Sequence, residues 1–288
     1  MTSFLRFCLQ RPLILFGYGF IALLIFLGIF ADLIAMYPAT AADPTNVLSS
    51  PSWSNLFGTD VSGMDVFSRS IYAIRLDLAI ALVGTAISSI FGTFAGAFIG
   101  FYEGKGGVAG AISMVSMRIM DVMQSFPIFV FAIALVAIFG QGIYSIIIAI
   151  AFVNAPIYLR LMRGQVLAMR NLRYVEASFI AGIPEYKIII GHIMPNSLGP
   201  ILSQLSVNIG WSILLTAALS FAGAGVVAPT AEWGSMIAVG FSNIVTGQWW
   251  PSIFPGIFLA LTVFSFGIIG SSVEILADPI RRRVAYLG

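Results

Sequence analysis

Six long apolar stretches, separated by polar or glycine- and proline-rich segments, dominate the pattern along the chain. They run from about Leu13 to Met36, Leu78 to Phe101, just after Asp121 to Phe139, Ile143 to Met162, Ile201 to Val227 and Ile253 to Gly270. Crossing hydrocarbon about 30 Å thick takes about 20 apolar residues in a helix, and each stretch meets that criterion by hydropathy. The pattern therefore predicts an all-α, polytopic membrane bundle of about six transmembrane helices. Residues 1–75 form an N-terminal tail, the first transmembrane helix and a long loop. Residues 76–288 form a core of five helices with its longest cytoplasmic loop at about 163–197. The first stretch has the basic flank of a secretory signal, with Arg6 and Arg11 before it and Ala39-Thr40-Ala41 after it. Its apolar run exceeds the roughly 7–15 residues of a signal core, so a retained anchor is the preferred reading.

Composition narrows the classes. Hydrophobic residues make up 59% and charged residues 9% of the 288, with a mean hydropathy of +1.00. A soluble fold of this size lacks the polar side chains to cover its surface. Net charge is +2, which is no electrostatic footprint for nucleic acid. The single cysteine, Cys8, excludes an intrachain disulfide and a cysteine-based metal cluster. Any Ser-His-Asp relay must use the single histidine, His192, which has no GxSxG segment near it. The phosphate-binding pattern GxxxxGK followed by Ser or Thr is missing: Gly104-Lys105 comes nearest, but Ile99 and Gly106 stand at the other required positions. If the protein uses ATP, another chain binds it.

The charges are sorted by side. On a six-span reading the N-terminus, the C-terminus and two even-numbered connections lie together. They hold Arg6, Arg11, Lys105, Arg118, Arg160, Arg163, Arg170, Arg173, Lys187, Arg281, Arg282 and Arg283, which are 12 of the 14 basic residues. The other side keeps Arg69 and Arg75 beside six acidic residues. Lys and Arg mark cytoplasmic loops, so both termini are expected inside. Trp233, Trp249 and Trp250 fall near span ends, where tryptophan commonly marks the membrane interface.

Within the spans, Gly84, Ser88, Gly92, Gly96 and Gly100 recur every fourth residue and share one helix face. Small residues at this spacing allow close helix packing in lipid; a face that slides during transport is the sharper alternative. Mid-span charge is scarce, since Asp77, Glu103, Asp121 and Glu274 fall near span ends. That weighs against a carrier driven by its own proton or ion relay, although a self-sufficient channel or secondary carrier remains the different-class alternative. The candidates for lining a translocation path are Gln124, Ser125, Asn154, Gln204 and Asn208; interhelical hydrogen bonding is the plainer role for each.

The loop after the fourth span carries the most specific signal. Residues 173–181 suit a short helix, Gly182 suits the left-handed turn that ends it, and Pro184-Glu185 suits the start of another. Val175 and Phe179 lie one turn apart and are expected to form an apolar knob. The result is a compact elbow, either lying on the bilayer or docking a soluble partner.

Glu176-Ala177-Ser178, Gly182 and Met194-Pro195 resemble, at matching spacing, the EAA–G–LP signature of bacterial ABC importer permeases. Ser178 stands for the second Ala, His192 for Ile and Met194 for Leu. Phe57-Gly58-Thr59-Asp60, with Gly63, Asp65, Ser68 and Arg69, resembles the FGTDxxGRDxxSR segment of the dipeptide/oligopeptide/nickel group, with Met64 in place of the usual Arg. Trp233-Gly234-Ser235-Met236 and Ala277-Asp278-Pro279 are similar to two further segments of that group. Together they span almost the whole chain, in the order of a C-type subunit.

The resemblance implies a type I importer permease of the bacterial inner membrane that is not itself an enzyme. Its partners are a second permease subunit, usually a non-identical paralogue, two cytoplasmic ATPase subunits holding ATP and magnesium, and an extracytoplasmic binding protein. It makes Tyr174, Val175, Glu176, Ala177, Ser178, Phe179 and Gly182 the ATPase-coupling residues. It assigns no catalytic, cofactor or metal residue to this chain. Di- or oligopeptides lead the substrate classes, with nickel chelates, glutathione, opines and sugars as alternatives.

Overall fold

The computed structural model describes residues 8–277. Arg6, Arg281–Arg283 and Asp278-Pro279, which carried part of the charge and motif readings, lie outside the described residues. In lipid a backbone N–H has no water to bond, so each apolar run must satisfy itself as helix. The described residues accordingly contain helices and turns but no strand. We label them α1 (Pro12–Ile29), α2 (Ala31–Ile34), α3 (Val66–Tyr102), α4 (Gly107–Ser125), α5 (Ile128–Phe139), α6 (Ile143–Met169), α7 (Arg173–Ile180), α8 (Glu185–Ile188), α9 (Met194–Phe221), α10 (Trp233–Phe241) and α11 (Trp250–Ala277). A π turn, Ile189–Ile193, joins α8 to α9.

Among the described residues, five helical stretches are long and apolar enough to span a membrane, and six if α4 and α5 count as one. Three departures from the expected spans have physical causes. The second span is a 37-residue helix that starts twelve residues before the apolar run. Its first turn is anchored, because the Asp65 carboxylate accepts from Ser68 N at 2.7 Å, an N-cap bond. The third span is broken: α4 and α5 meet at 99°. Pro127 disfavours helical backbone at the residue before it, and Phe126 is extended there (φ −79°, ψ 141°). The fifth span ends earlier than expected. Gly223 turns left-handed at φ +79°, and Gly223 N and Ala224 N close back onto Ser220 and Leu219 carbonyls, which terminates α9 at Phe221.

The chain forms two compact units. The first takes the chain up to Gly84, then Ala132–Ile150 and Ile209–Ile269; the second takes Thr85–Phe131, Ala151–Asn208 and the chain from Gly270.

In the first unit the long loop before α3 is pinned by its own motif residues. Asn55 Nδ2 donates to Asp65 at 2.8 Å. The buried Arg69 guanidinium donates to the carbonyls of Ala39 (3.0 Å) and Pro229 (3.1 Å) and lies 3.6 Å from Asp60. Met64, where the group's usual residue is Arg, sets its sulfur against the same guanidinium. The ring of Phe57 stacks on Phe254 at 4.1 Å. Gly58, at φ +72°, makes room for Trp250, whose Nε1 donates to Thr59 O. The tryptophans correct the interfacial expectation: Trp233 is fully buried and Trp250 nearly so, while Trp249 is half exposed. Trp233 donates through its ring N–H to Ser70 O and through its backbone N–H to Asp77, each at 3.1 Å.

Glu232 caps α10, accepting from Gly234 N (2.8 Å) and Ser235 N (2.7 Å). It is completely buried beside the equally buried Asp77, and burial pushes its carboxyl above the ordinary glutamate value. The folded state therefore holds this proton more tightly than the unfolded chain. That stabilisation is complete below the ordinary value of about 4.3 and is lost as pH rises through the raised one. Glu232→Gln should flatten the slope of melting temperature against pH above about 4.3 in the detergent-solubilised chain. An unchanged slope would mean that another group carries it.

Candidate functional site

The elbow belongs to the second unit. Helix α7 follows α6 after three residues, with Leu172 extended before it and Glu176 in its first turn, where the helix dipole favours an anion. Its end is a Schellman turn: Gly182 N donates to Phe179 O at 2.9 Å and Ile183 N to Ser178 O at 3.1 Å. Gly182 sits at φ +75° with open space where a Cβ would point, so its requirement is conformational and not steric. Pro184 stands just before α8 in extended conformation, and Glu185 opens that helix.

One face of α7 is core and the other is free. Val175 is fully buried and Ser178 nearly so; Val175 belongs to one buried core cluster that also includes Ala97, Phe101, Tyr158, Met162 and the π-turn residue Ile189. This corrects the expected apolar knob, because Val175 points inward and only Phe179, 41% exposed, remains at the surface. The free face carries Tyr174, Glu176, Ala177 and Ile180, the last 83% exposed. Among the described residues Glu176 makes no ion pair. Sequence reasoning missed Ile180. Its signal was available, since it lies four residues after Glu176 and shares that face.

Sequence reasoning also missed three ion pairs in the same unit. The Arg163 guanidinium grips both Glu103 oxygens, at 2.5 and 2.6 Å. That cation holds the Glu103 carboxyl below its ordinary value. Arg160 pairs with Asp121 at 2.6 Å, and Lys105 with Glu185 at 3.0 Å.

The small-residue face of α3 meets α6 at backbone distance. A Cβ at Gly84 would lie 2.7 Å from the Ile150 side chain, one at Gly92 2.5 Å from Ala155 O, and one at Gly100 2.8 Å from Arg163 O. At Gly96 the obstacle is the Leu159 carbonyl. Ser88, in the same row, is buried and bonds back to Thr85 O at 2.9 Å.

The path candidates are not gathered at one place. Gln204 donates to Asn208 at 2.9 Å, one turn along α9. Gln204 also lines an open cleft of about 520 Å³ with Ser203, Val207, Gly270 and Glu274. Gln124 lines a separate apolar pocket of about 200 Å³ beside Phe126 and Pro156, at the α4–α5 break. Ser125 is exposed at that break, bonded to Val122 O, and Asn154 is buried in α6.

Spanning helices packed through small residues, few charges in the spans and an elbow with a free face define an integral membrane permease. The sequence profile of binding-protein-dependent transport system inner membrane components matches residues 92–285, and the chain belongs to that family. A relative from Escherichia coli K12, described as the probable D,D-dipeptide transport system permease protein DdpC, is 39% identical over 93% of this chain and 88% of its own length. The dipeptide transport system permease protein DppC of Alkalihalophilus pseudofirmus is 38% identical over 94% and 86%. The glutathione transport system permease protein GsiD of Pectobacterium atrosepticum is 34% identical over 95% and 89%. Among solved structures, the MetNI methionine ABC transporter in inward-facing conformations matches 73% of this chain and 96% of its own, with TM-score 0.59 at 16% identity, a likeness of fold.

Proposed function

We propose that this chain is the permease subunit of an ATP-driven importer for short peptides, worked by a separate ATPase that docks on α7. The observation that carries the reading is the elbow: a helix fixed by one face to the unit's core, with Tyr174, Glu176, Phe179 and Ile180 left outward. An exposed Ile and Phe flanked by charge suit a protein groove. The substrate class rests on relatives named for dipeptide and glutathione transport, all short peptides.

ATP and magnesium stay on the ATPase subunits, and a second, non-identical permease subunit completes the path. An extracytoplasmic binding protein delivers the peptide and sets much of the selectivity, which suits the weak polarity of Gln124, Ser125, Asn154, Gln204 and Asn208. The basic residues around the elbow support a cytoplasmic position for it, with both termini on the same side. A rigid helical frame then converts ATPase closure into alternating access.

Purification of the tagged chain in mild detergent tests the docking, and calorimetry of the cognate binding protein with peptides tests the substrate. Co-purification of an ATPase and tight peptide binding are expected. Purification without an ATPase, or binding protein that takes only a sugar or a nickel chelate, would contradict the corresponding half.

A further inference from the structure

We infer that Arg170 is a positioning residue that fastens the C-terminal end of α3 to the elbow, so that the two move as one lever. The inference rests on the docking role of α7 proposed above.

The last carbonyls of a helix have no partner within it, and α3 ends at Tyr102 after 37 residues. One guanidinium nitrogen, Arg170 Nη1, fills that position: it donates to the carbonyls of Gly100 (3.0 Å), Phe101 (3.4 Å) and Glu103 (2.6 Å). A cation at a helix C-terminus is also favoured by the dipole. Arg170 stands where α6 hands over to the elbow, one residue after Met169 and two before Leu172, and its own N–H still bonds to Val166 O at 2.8 Å. A displacement of α7 therefore pulls on two carbonyls of α3's last turn and on the Glu103 carbonyl just beyond it.

Neighbouring contacts run in the same direction but with less force. The Lys105 ammonium lies 3.8 Å from the Phe101 ring centre and bonds to Glu185, while the Phe101 ring stacks on Phe179 at 6.0 Å. Both members of the Lys105–Glu185 pair are about two-fifths exposed, and exposed pairs of this kind contribute little. The Arg163–Glu103 bridge joins α6, not the elbow, to the same end of α3. Arg170 is the half-buried link at the start of the elbow itself. Along its length α3 is also pressed against the α6 backbone at Gly92, Gly96 and Gly100. Motion entering at α7 thus reaches a helix that has little freedom to absorb it by bending away.

The test uses the whole importer, with its ATPase, second permease and binding protein, in proteoliposomes. It reads peptide transported per ATP hydrolysed. Arg170→Ala should keep the ATPase bound and hydrolysing while that ratio falls about tenfold, within the usual span of coupling effects. Arg170→Lys, which keeps a cationic donor, should recover most of it. An unchanged ratio in Arg170→Ala would overturn the lever, as would equal losses of transport and hydrolysis, the mark of simple destabilisation.

A second measurement does not depend on that variant folding. Spin labels at Gly106→Cys and Tyr186→Cys in a Cys8→Ser background should give one narrow distance in both nucleotide-free and ATP-trapped importer. A distance that changes between the two states would also overturn the lever. Loss of the ATPase from the wild-type complex would instead overturn the docking role, which separates the two failures.

Discussion

Gly182→Val should leave the chain in the membrane and sever ATP hydrolysis from transport. Gly182 occupies φ +75°, where a residue with a Cβ pays about 1–2 kcal/mol and a β-branched one more. Nothing lies within 4 Å of the place a Cβ would take, so the damage is confined to backbone geometry. Relief requires the turn to open, which breaks the bonds from Gly182 N and Ile183 N to the end of α7. The helix then loses its stop, and the free face that carries Glu176 and Ile180 rotates. The buried contacts of Val175 are far enough along α7 to hold the elbow in the unit's core. We expect substrate-stimulated ATP hydrolysis to fall by about tenfold or more, on the usual scale of coupling energies, with membrane content near wild type. Gly182→Ala should fall between the two. Substrate stimulation equal to wild type in Gly182→Val would remove the elbow from the coupling route.

Gly92→Leu should fail earlier, at folding. A Cβ there would lie 2.5 Å from Ala155 O and 2.7 Å from Tyr158 Cβ, and the first obstacle is main chain that cannot swing aside. Three further carbons must then enter the same gap. Overpacking a tight core costs about 1–3 kcal/mol even where side chains yield, and here the helices themselves must part. The buried Tyr158, Leu159 and Met162 would lose their packing with them. Size-exclusion profiles of the solubilised chain should show little monodisperse protein. Gly164→Leu, on the same pair of elements but facing open space, should run like wild type. A monodisperse Gly92→Leu profile would show that α3 and α6 can separate without loss of the fold.

The small-residue row and the Gly182 turn were legible in the sequence because each depends on local geometry. A period of four places Gly84 to Gly100 on one face whatever lies opposite, and a left-handed residue after a short helix asks for glycine wherever it occurs. The α4–α5 break was less legible, since hydropathy averages across Pro127 and records one apolar run. The roles of Trp233 and Trp250 were hidden by the same limit. Their ring N–H groups bond to Ser70 and Thr59 carbonyls more than 160 residues away in sequence, and an interfacial tryptophan reads identically. Val175 was misplaced because a helix of eight residues offers two turns, too few for periodicity to say which apolar side faces the core. Arg170 escaped notice because its partners are backbone carbonyls, which leave no residue type to pair with it.

ATP-dependent peptide uptake is the most direct measure of the central claim. Proteoliposomes containing this chain, its second permease and its ATPase, with binding protein and labelled peptide outside, should accumulate peptide only when ATP is enclosed on the ATPase side. Replacing the binding protein with buffer should stop uptake, and so should a hydrolysis-deficient ATPase. Peptide uptake by this chain alone, at the same rate without ATP, would contradict the account and make the protein a self-sufficient carrier.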